Sequence, residues 1–340
     1  MKKLIYLLLL ATVFCVQVSA QSSQEDSPEN LQKYVPLLPS VKAQVWKIDP
    51  KVGYVVHSVG RGVYVISDNG WQSAFVVTDE GVIVFDAPAS FGKSIPSAIT
   101  NVTDKPIKML VYSHAHKDHI GGSAAFKSIK GLQIVALDTV SDFLKEMKDP
   151  NRLLPNVTFK TEKTLTLGGQ TVELTRRDYH SSEGDLFIYI PKAKFLMAVD
   201  CVTPGYAPFQ GFDITANFRE YLKVFDQLLA YNFDTFVGGH LTSIGTKHDV
   251  EMTKEFTMDV YNSVKRVHNN MDQAGVTGEA AKTIGTDNEF LLFKVLLDKA
   301  TNDSVKELQP RWINRLAGVD VWLPSHVRTA LIYVRWDDKE

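Results

Sequence analysis

Ser113-His114-Ala115-His116-Lys117-Asp118-His119-Ile120-Gly121-Gly122 follows directly on the apolar run Leu110-Val111-Tyr112. Three histidines and one aspartate fall within six residues. With nine histidines in 340 residues, three at fixed offsets have a chance of about (9/340)³, or ~2 × 10⁻⁵ per starting position. Over the whole chain that stays below about one in a hundred, so a loop of merely solvated histidines is a poor account of the pattern. Imidazoles two apart on extended backbone point the same way, so His114 and His116 can share one ion. Asp118 and His119, where the chain turns into a helix, can swing toward a neighbouring ion. Gly121 and Gly122 leave room for backbone to approach closely.

Two ions need more ligands than one loop supplies. Outward from the motif, three further candidates stand at strand ends, a common place for functional side chains on a rigid scaffold. His180 lies in Asp178-Tyr179-His180-Ser181-Ser182-Glu183-Gly184-Asp185, Asp200 ends Phe195 to Val199, and His240 follows Phe236-Val237-Gly238-Gly239. Any one alone reads more simply as a capping or core polar residue; the set completes two coordination spheres. Cys201 competes with Asp200, but neighbouring strand residues face opposite sides, so only one of them can aim at the ions. Alternation leaves the choice between them open; if Asp200 is the ligand, as the family resemblance below implies, Cys201 reads as a small buried apolar residue.

The rest of the chain supplies a scaffold. Short β-branched or aromatic runs (52–56, 63–66, 74–78, 82–85), punctuated by Gly60, Gly62, Asp68-Asn69-Gly70 and Asp79-Glu80-Gly81, predict a hairpin meander. From Ser90 helices (94–101, 122–129, 139–148) alternate with strands (107–112, 133–136). Strands then return at 158–160, 165–167, 172–175, 186–190 and 195–199, followed by helix 218–230 and strand 235–237. Residues 249–318 carry helical apolar stripes, such as Met258, Tyr261, Val264 and Val267, suited to core packing, to capping the site or to a dimer contact. Residues 328–335 suggest a return to strand. This order predicts an α/β fold with two sheets face to face and helices outside, an αββα sandwich with a helical C-terminal extension.

Composition narrows the classes. With 37 basic and 39 acidic residues there is no basic footprint for nucleic acid. Met1-Lys2-Lys3, the apolar run Leu4 to Val18 and Val18-Ser19-Ala20 have the three parts of a Sec signal peptide, with cleavage expected after Ala20. The run is short for a membrane span of about 20 residues, which weighs against the alternative of an uncleaved anchor. Cleavage leaves a charge of 35 − 39 = −4 and Cys201 as the sole cysteine, so no internal disulfide forms. The expected organisation is signal peptide 1–20, flexible leader 21–40, catalytic domain 41–248 and helical extension 249–340. The expected location is periplasmic or secreted, with no stable membrane insertion; the oligomeric state stays open.

The His-x-His-x-Asp-His loop followed by His180, Asp200 and His240 resembles the metallo-β-lactamase-fold hydrolase superfamily over roughly Val52 to Ser243. The resemblance implies a first metal held by His114, His116 and His180, a second held by Asp118, His119 and His240, and Asp200 bridging both. Asp86 matches an early aspartate that supports the loop. Ser113 and Val199 depart from the usual threonine and glycine, and neither change removes a ligand. A bridging aspartate is similar to the thioesterase and lactonase branches, whereas several true β-lactamases carry cysteine or serine there. Spacings of 61, 20 and 40 residues between His119, His180, Asp200 and His240 are also similar to those branches but separate them poorly. Five imidazoles and two carboxylates on two Zn²⁺ leave about +2, which favours a bridging hydroxide; iron or manganese also suit the ligands. The expected function is an exported dinuclear zinc hydrolase of an ester, thioester, lactone or amide in a small molecule, with β-lactam cleavage as the alternative. An iron persulfide dioxygenase is disfavoured by seven intact ligands, and a flavin-linked diiron protein by the absence of a flavodoxin-like stretch. Asp118 is the candidate proton acceptor. Tyr206 could overhang the metals and donate to an oxyanion, or pack a surface loop. Lys117 is expected to face solvent, and His326 to start a helix or to close the site.

Overall fold

The structure, a computed structural model, describes residues 31, 33–241 and 244–338, of which those from Leu37 onward belong to one compact unit. The expected signal peptide and the first ten residues of the leader lie outside the described residues.

After a single helical turn, α1 (Pro39–Lys42), strands β1 (Val55–Gly60), β2 (Val63–Ser67), β3 (Gln72–Val77) and β4 (Val82–Phe85) form an antiparallel meander. Its turns follow the punctuation residues. Arg61 and Gly62 both have positive φ, the two-residue turn whose twist suits a hairpin. Asp68 Oδ1 accepts from the N–H groups of Gly70 (2.9 Å) and Trp71 (2.8 Å) and so delivers Trp71 at the head of β3. Helix α2 (Ile95–Thr100) then leads to β5 (Ile107–Val111), and α3 (Lys117–Ile120) and a 3₁₀ turn to β6 (Gln133–Leu137). Helix α4 (Asp138–Met147) leads to β7 (Val157–Phe159). These crossovers make β4–β7 parallel and complete a seven-stranded sheet in the order β1 to β7.

Strands β8 (Glu162–Leu167), β9 (Gln170–Arg177), β10 (Asp185–Ile190) and β11 (Phe195–Ala198) pair antiparallel, and β12 (Thr235–Val237) adds parallel to β11 after α5 (Phe218–Leu229). This second sheet is apolar on both faces, as the period of two dictates. Leu186, Ile188, Ile190, Phe195, Met197 and Val199 pack into the core shared with the first sheet, to which α2 and α4 contribute Ile95, Ile99, Val140 and Leu144. Phe187, Leu196, Ala198 and Phe236 point the other way, into a second core with α5 and the C-terminal helices α6 (Lys247–Asn270), α8 (Glu289–Trp312) and α9 (Val319–Trp336), while α7 (Gln273–Ile284) adds no buried residue to it. Each large apolar side chain fully buried in these layers contributes about 1.5–3 kcal/mol. The two sheets flanked by helices form the expected αββα arrangement.

Three local expectations fail. The first strand runs 55–60 rather than 52–56. The helix expected at 122–129 shrinks to the 3₁₀ turn Ser123–Phe126. Gly122 is pressed against the Ala87–Gly92 loop, and the Ser123 hydroxyl donates to Asn151 O and accepts from Leu153 N–H, competing with helix formation. The strand expected at 328–335 is the second half of α9. Its buried residues Leu323, His326, Val327, Ala330 and Leu331 recur at helical spacing, and that wider period overrides the local β-branched run.

His326 therefore stands mid-helix and fully buried, between the rings of Phe212 and Phe256. Its Nδ1 accepts from Phe212 N–H at 3.0 Å, and Ser325 Oγ accepts from Gly211 N–H at 2.9 Å. These bonds hold a left-handed turn in which Gly211, Phe212, Asp213 and Ile214 all have φ between 51° and 61°. Left-handed backbone costs roughly 1–2 kcal/mol for each non-glycine residue. The turn persists because Asp213 also ties it down, accepting from Phe209 N–H (2.9 Å) and Tyr221 Oη (3.3 Å). It ends where Ala216 N–H reaches His180 O at 2.8 Å, so the helical region is wired to the end of β9.

Burial pushes His326 down to about 3, so the folded protein keeps it neutral where the unfolded chain, near 6.5, takes up a proton. The unfolded state binds more protons between these values, and stability from this residue falls as pH drops below 6.5. Compared with His326→Asn, which keeps an acceptor for Phe212 but does not titrate, the native chain should lose about 1.4 kcal/mol more per pH unit from 6 toward 4. Urea unfolding of both proteins across that range measures the difference; parallel curves would rule out the effect.

Candidate metal centre

Strand β5 delivers the motif loop. Asp86, at positive φ at the end of β4, accepts the Ser113 N–H at 2.7 Å, while its own N–H donates to Val111 O. Burial pushes the Asp86 carboxyl up to about 6, against the pull of His119. From the far side Arg152, itself buried, donates to Ala115 O at 2.8 Å and pairs with Asp149. Ala87 and Ala89 donate backbone N–H groups to His119 O and Asp118 O. Gly122 is required here: a Cβ would stand 2.6 Å from Pro88 O. Gly239, at φ +87°, plays the same part before His240, where a Cβ would meet Val199 and the His119 ring.

Three strand ends bring the remaining candidates to the loop. Tyr179 Oη donates to Val199 O at 2.6 Å, tying the end of β9 to that of β11. The buried Asp185 carboxylate accepts the N–H groups of His180 (2.9 Å) and Ser181 (3.1 Å). Burial is the main cause that lifts Asp185 to about 7. Asp200 takes positive φ, which turns its carboxylate into the cluster, while Cys201 goes to the opposite side and packs in the helical core. His240 is fixed by an antiparallel bridge to Trp71.

Two groups result: His114, His116, His180 and Asp200 in one, Asp118, His119 and His240 in the other, each with all its donor atoms within 4.8 Å of one another. Asp200 joins them. Its Oδ2 lies 3.1 Å from His180 Nε2 and 3.4 Å from His114 Nε2, and its Oδ1 lies 2.8 Å from His240 Nε2 and 3.3 Å from His119 Nε2. Asp118 Oδ2 lies 3.3 Å from His119 Nε2 and 3.6 Å from His240 Nε2. The ring pairs close in as well, at 3.0 Å for His119 Nε2 to His240 Nε2 and 3.1 Å for His180 Nε2 to His116 Nδ1.

This geometry suits cations better than protons. A nitrogen pair at 3 Å shares at most one hydrogen, and His114 Nε2 is buried with no hydrogen-bond partner. Ser113 Oγ sits 3.0 Å from His114 Nδ1, which directs the lone pair of Nε2 inward. The charge balance says the same. Burial opposes ionisation of Asp200, yet His119, His180 and His240 hold it well below the usual carboxylate range. Burial likewise opposes a charge on His180, but Asp200 outweighs it and lifts the ring to about 9; His119 is raised well above its usual value in the same way. His114 and His116 are lowered, first by burial. One buried carboxylate thus draws positive charge to each of its two oxygens.

The seven metal-ligand candidates converge. Tyr206 occupies a turn whose backbone bridges to Ala317, and among the described residues it makes no hydrogen bond to the cluster. Lys117 is exposed. His326 does not start a helix: it stands mid-helix, fully buried beside Phe212 and Phe256. Sequence reasoning missed Trp71, Arg152, Asp185 and Asp213. Asp185 carried a signal, an aspartate five residues after His180 at the mouth of a strand. Trp71, whose Nε1–H donates to Asp118 Oδ2 at 3.3 Å, lies 47 positions away and carried none.

Among characterised proteins, the chain is 24% identical over 184 residues to 2,4-dinitroanisole O-demethylase subunit alpha of Nocardioides sp. (strain JS1661), covering 52% of this chain and 55% of that one. It is 26% identical over 226 residues to metallo-beta-lactamase IND-1 of Chryseobacterium indologenes, covering 64% and 92%. The chain thus spans about half the length of the demethylase subunit and nearly all of the lactamase. In structure it superposes on a metallo-beta-lactamase from Pontibacter korlensis with a TM-score of 0.52 at 20% identity, over 59% of this chain and 97% of that one. A stereoselective inverting sec-alkylsulfatase from Pseudomonas sp. gives 0.57 at 15% identity, over 83% and 50%. The Metallo-beta-lactamase superfamily profile matches residues 71–240, from Trp71 through every member of the cluster to His240. The chain belongs to the metallo-beta-lactamase superfamily of metal-dependent enzymes.

Proposed function

We propose that the protein is an exported dinuclear zinc hydrolase that cleaves an ester, thioester, lactone or amide bond in a small molecule. The observation that carries this reading is the placement of Asp200, whose Oδ2 faces two imidazole nitrogens of one group and whose Oδ1 faces two of the other. In this reading His114, His116 and His180 hold one ion, Asp118, His119 and His240 the other, and Asp200 bridges. Nitrogen-rich ligation favours zinc over the harder cations. A pair of such ions, when bound, supplies Lewis acidity and lowers the pKa of water it binds to around 7.

The chain's own residues do the rest. The Asp118 side chain is 42% exposed whereas Asp200 is 6% exposed, so Asp118 is the carboxylate of the cluster that substrate and water can reach. It is placed to accept a proton as the nucleophile forms and to return it to the leaving group. His240, the more exposed of the ligand histidines beside it, shares that open rim. The loop of Asp86, the Arg152 brace and the Asp185 clamp keep the buried ligands fixed, so little reorganisation is needed during turnover. The N-terminal sequence supports export, since residues 1–20 have the charge, apolar run and small-residue ending of a cleaved signal peptide.

Substrate class is open to a direct trial. Zinc-loaded mature protein should hydrolyse at least one of a panel of lactones, thioesters, aryl esters and β-lactams. Given the relatives, a sulfate ester and an aryl methyl ether belong in the panel. Asp118→Ala should reduce that turnover by about 10²–10⁴-fold; an equal rate in the variant would remove Asp118 from the chemistry. Mature protein should carry two equivalents of metal by elemental analysis, and dialysis against EDTA should abolish turnover until Zn²⁺ is restored. One equivalent or none, or turnover that survives chelation, would overturn the dinuclear reading.

A further inference from the structure

Resting on the two-metal reading, we propose that Trp71 is a positioning residue dedicated to the second metal position, setting its affinity without touching the first. Its indole Nε1–H donates to Asp118 Oδ2 at 3.3 Å, the same oxygen that faces His119 Nε2 and His240 Nε2. The indole ring lies 6.1 Å from the His240 ring, inclined by 54°. The main chain repeats the connection. Trp71 and His240 form an antiparallel bridge, with Gln72 N–H donating to Gly239 O at 2.7 Å and Leu241 N–H to Gly70 O at 2.9 Å. One residue therefore contacts two of the three ligands that belong to the second position alone.

Asp118 needs such support more than the other ligands do. His114 is oriented by the Ser113 hydroxyl, His180 by backbone bonds to Asp185, and Asp200 is buried among four imidazoles. Asp118 is partly exposed on a four-residue helix, and among the described residues the indole is its only side-chain donor other than the imidazoles. An indole N–H only donates, so its preference is for the ionised, ligand form of the carboxylate. The bond narrows the rotamers of Asp118 and holds Oδ2 beside His119 and His240. The contacts of Trp71 leave out His114, His116 and His180, so its effect is confined to one of the two positions. Loss of a hydrogen-bond partner behind a metal ligand typically costs about 10–100-fold in affinity.

Stepwise Zn²⁺ titration of metal-free mature protein against a chelating indicator tests this. The native chain should take up two equivalents. Trp71→Phe, which keeps an aromatic ring but removes the donor, should weaken the second about 10–100-fold and leave the first unchanged. Trp71→Tyr, with a hydroxyl donor, should recover part of the loss. Unchanged affinities in Trp71→Phe, or an equal loss at both positions, would overturn the proposal. A native chain that binds fewer than two equivalents would instead overturn the two-metal reading beneath it. The native protein also gives a readout independent of the variants. Of its five indole ¹H–¹⁵N resonances, one should move with the second equivalent and not with the first. If none does so, Trp71 has no such role.

Discussion

The buried ligand cluster of this protein is arranged around one carboxylate. Asp200 sits at the seam between the sheets' ends, with two imidazole nitrogens within 3.4 Å of each of its oxygens. A buried charge in that position is costly unless compensated, and its compensation is shared between the motif loop and the ends of two other strands. None of these elements could shift alone without leaving the carboxylate exposed to an uncompensated environment. The cluster is thus a constraint on the fold as much as a product of it. Positive backbone dihedrals at Asp86 and Asp200 show where the chain bends to meet it.

The second sheet transmits that constraint. Because it is apolar on both faces, it is clamped between the first sheet and the C-terminal helices, and its strand ends have little freedom. The helical region is joined to the site by more than packing. His326 and Ser325 on α9 hold the left-handed turn at 211–214, and that turn ends on the backbone of His180. A region without a recognisable motif is in this way mechanically continuous with a candidate ligand.

The motif loop, the three distant ligands and the order of the sheets were legible in the chain because each had a local signature. The loop combined an improbable run of imidazoles with two glycines, and His180, Asp200 and His240 each stood where a predicted strand gives way to a loop. Strand alternation said only that one of Asp200 and Cys201 could face the ions; the family resemblance pointed to Asp200, and the structure does place the two on opposite sides. Less legible were segments whose local pattern competed with a longer one. Residues 328–335 look like a strand over eight positions and like a helix over eighteen, and the buried face of α9 follows the longer period. The backbone pairing of the Tyr206 turn with Ala317 had no signature in the sequence either.

By itself, the order of residues determined the chemistry on offer: which side chains could ligate, and the two-sheet plan that would gather them. Those follow from local rules, since side-chain period, turn residues and donor type act within a few positions. Only the tertiary structure decided which groups stand behind the ligands. Trp71 meets Asp118, Arg152 braces Ala115 and His326 secures the turn beside His180 because separate elements pack together. Such contacts depend on register and distance between segments 30 to over 100 residues apart, and no short stretch of sequence encodes them.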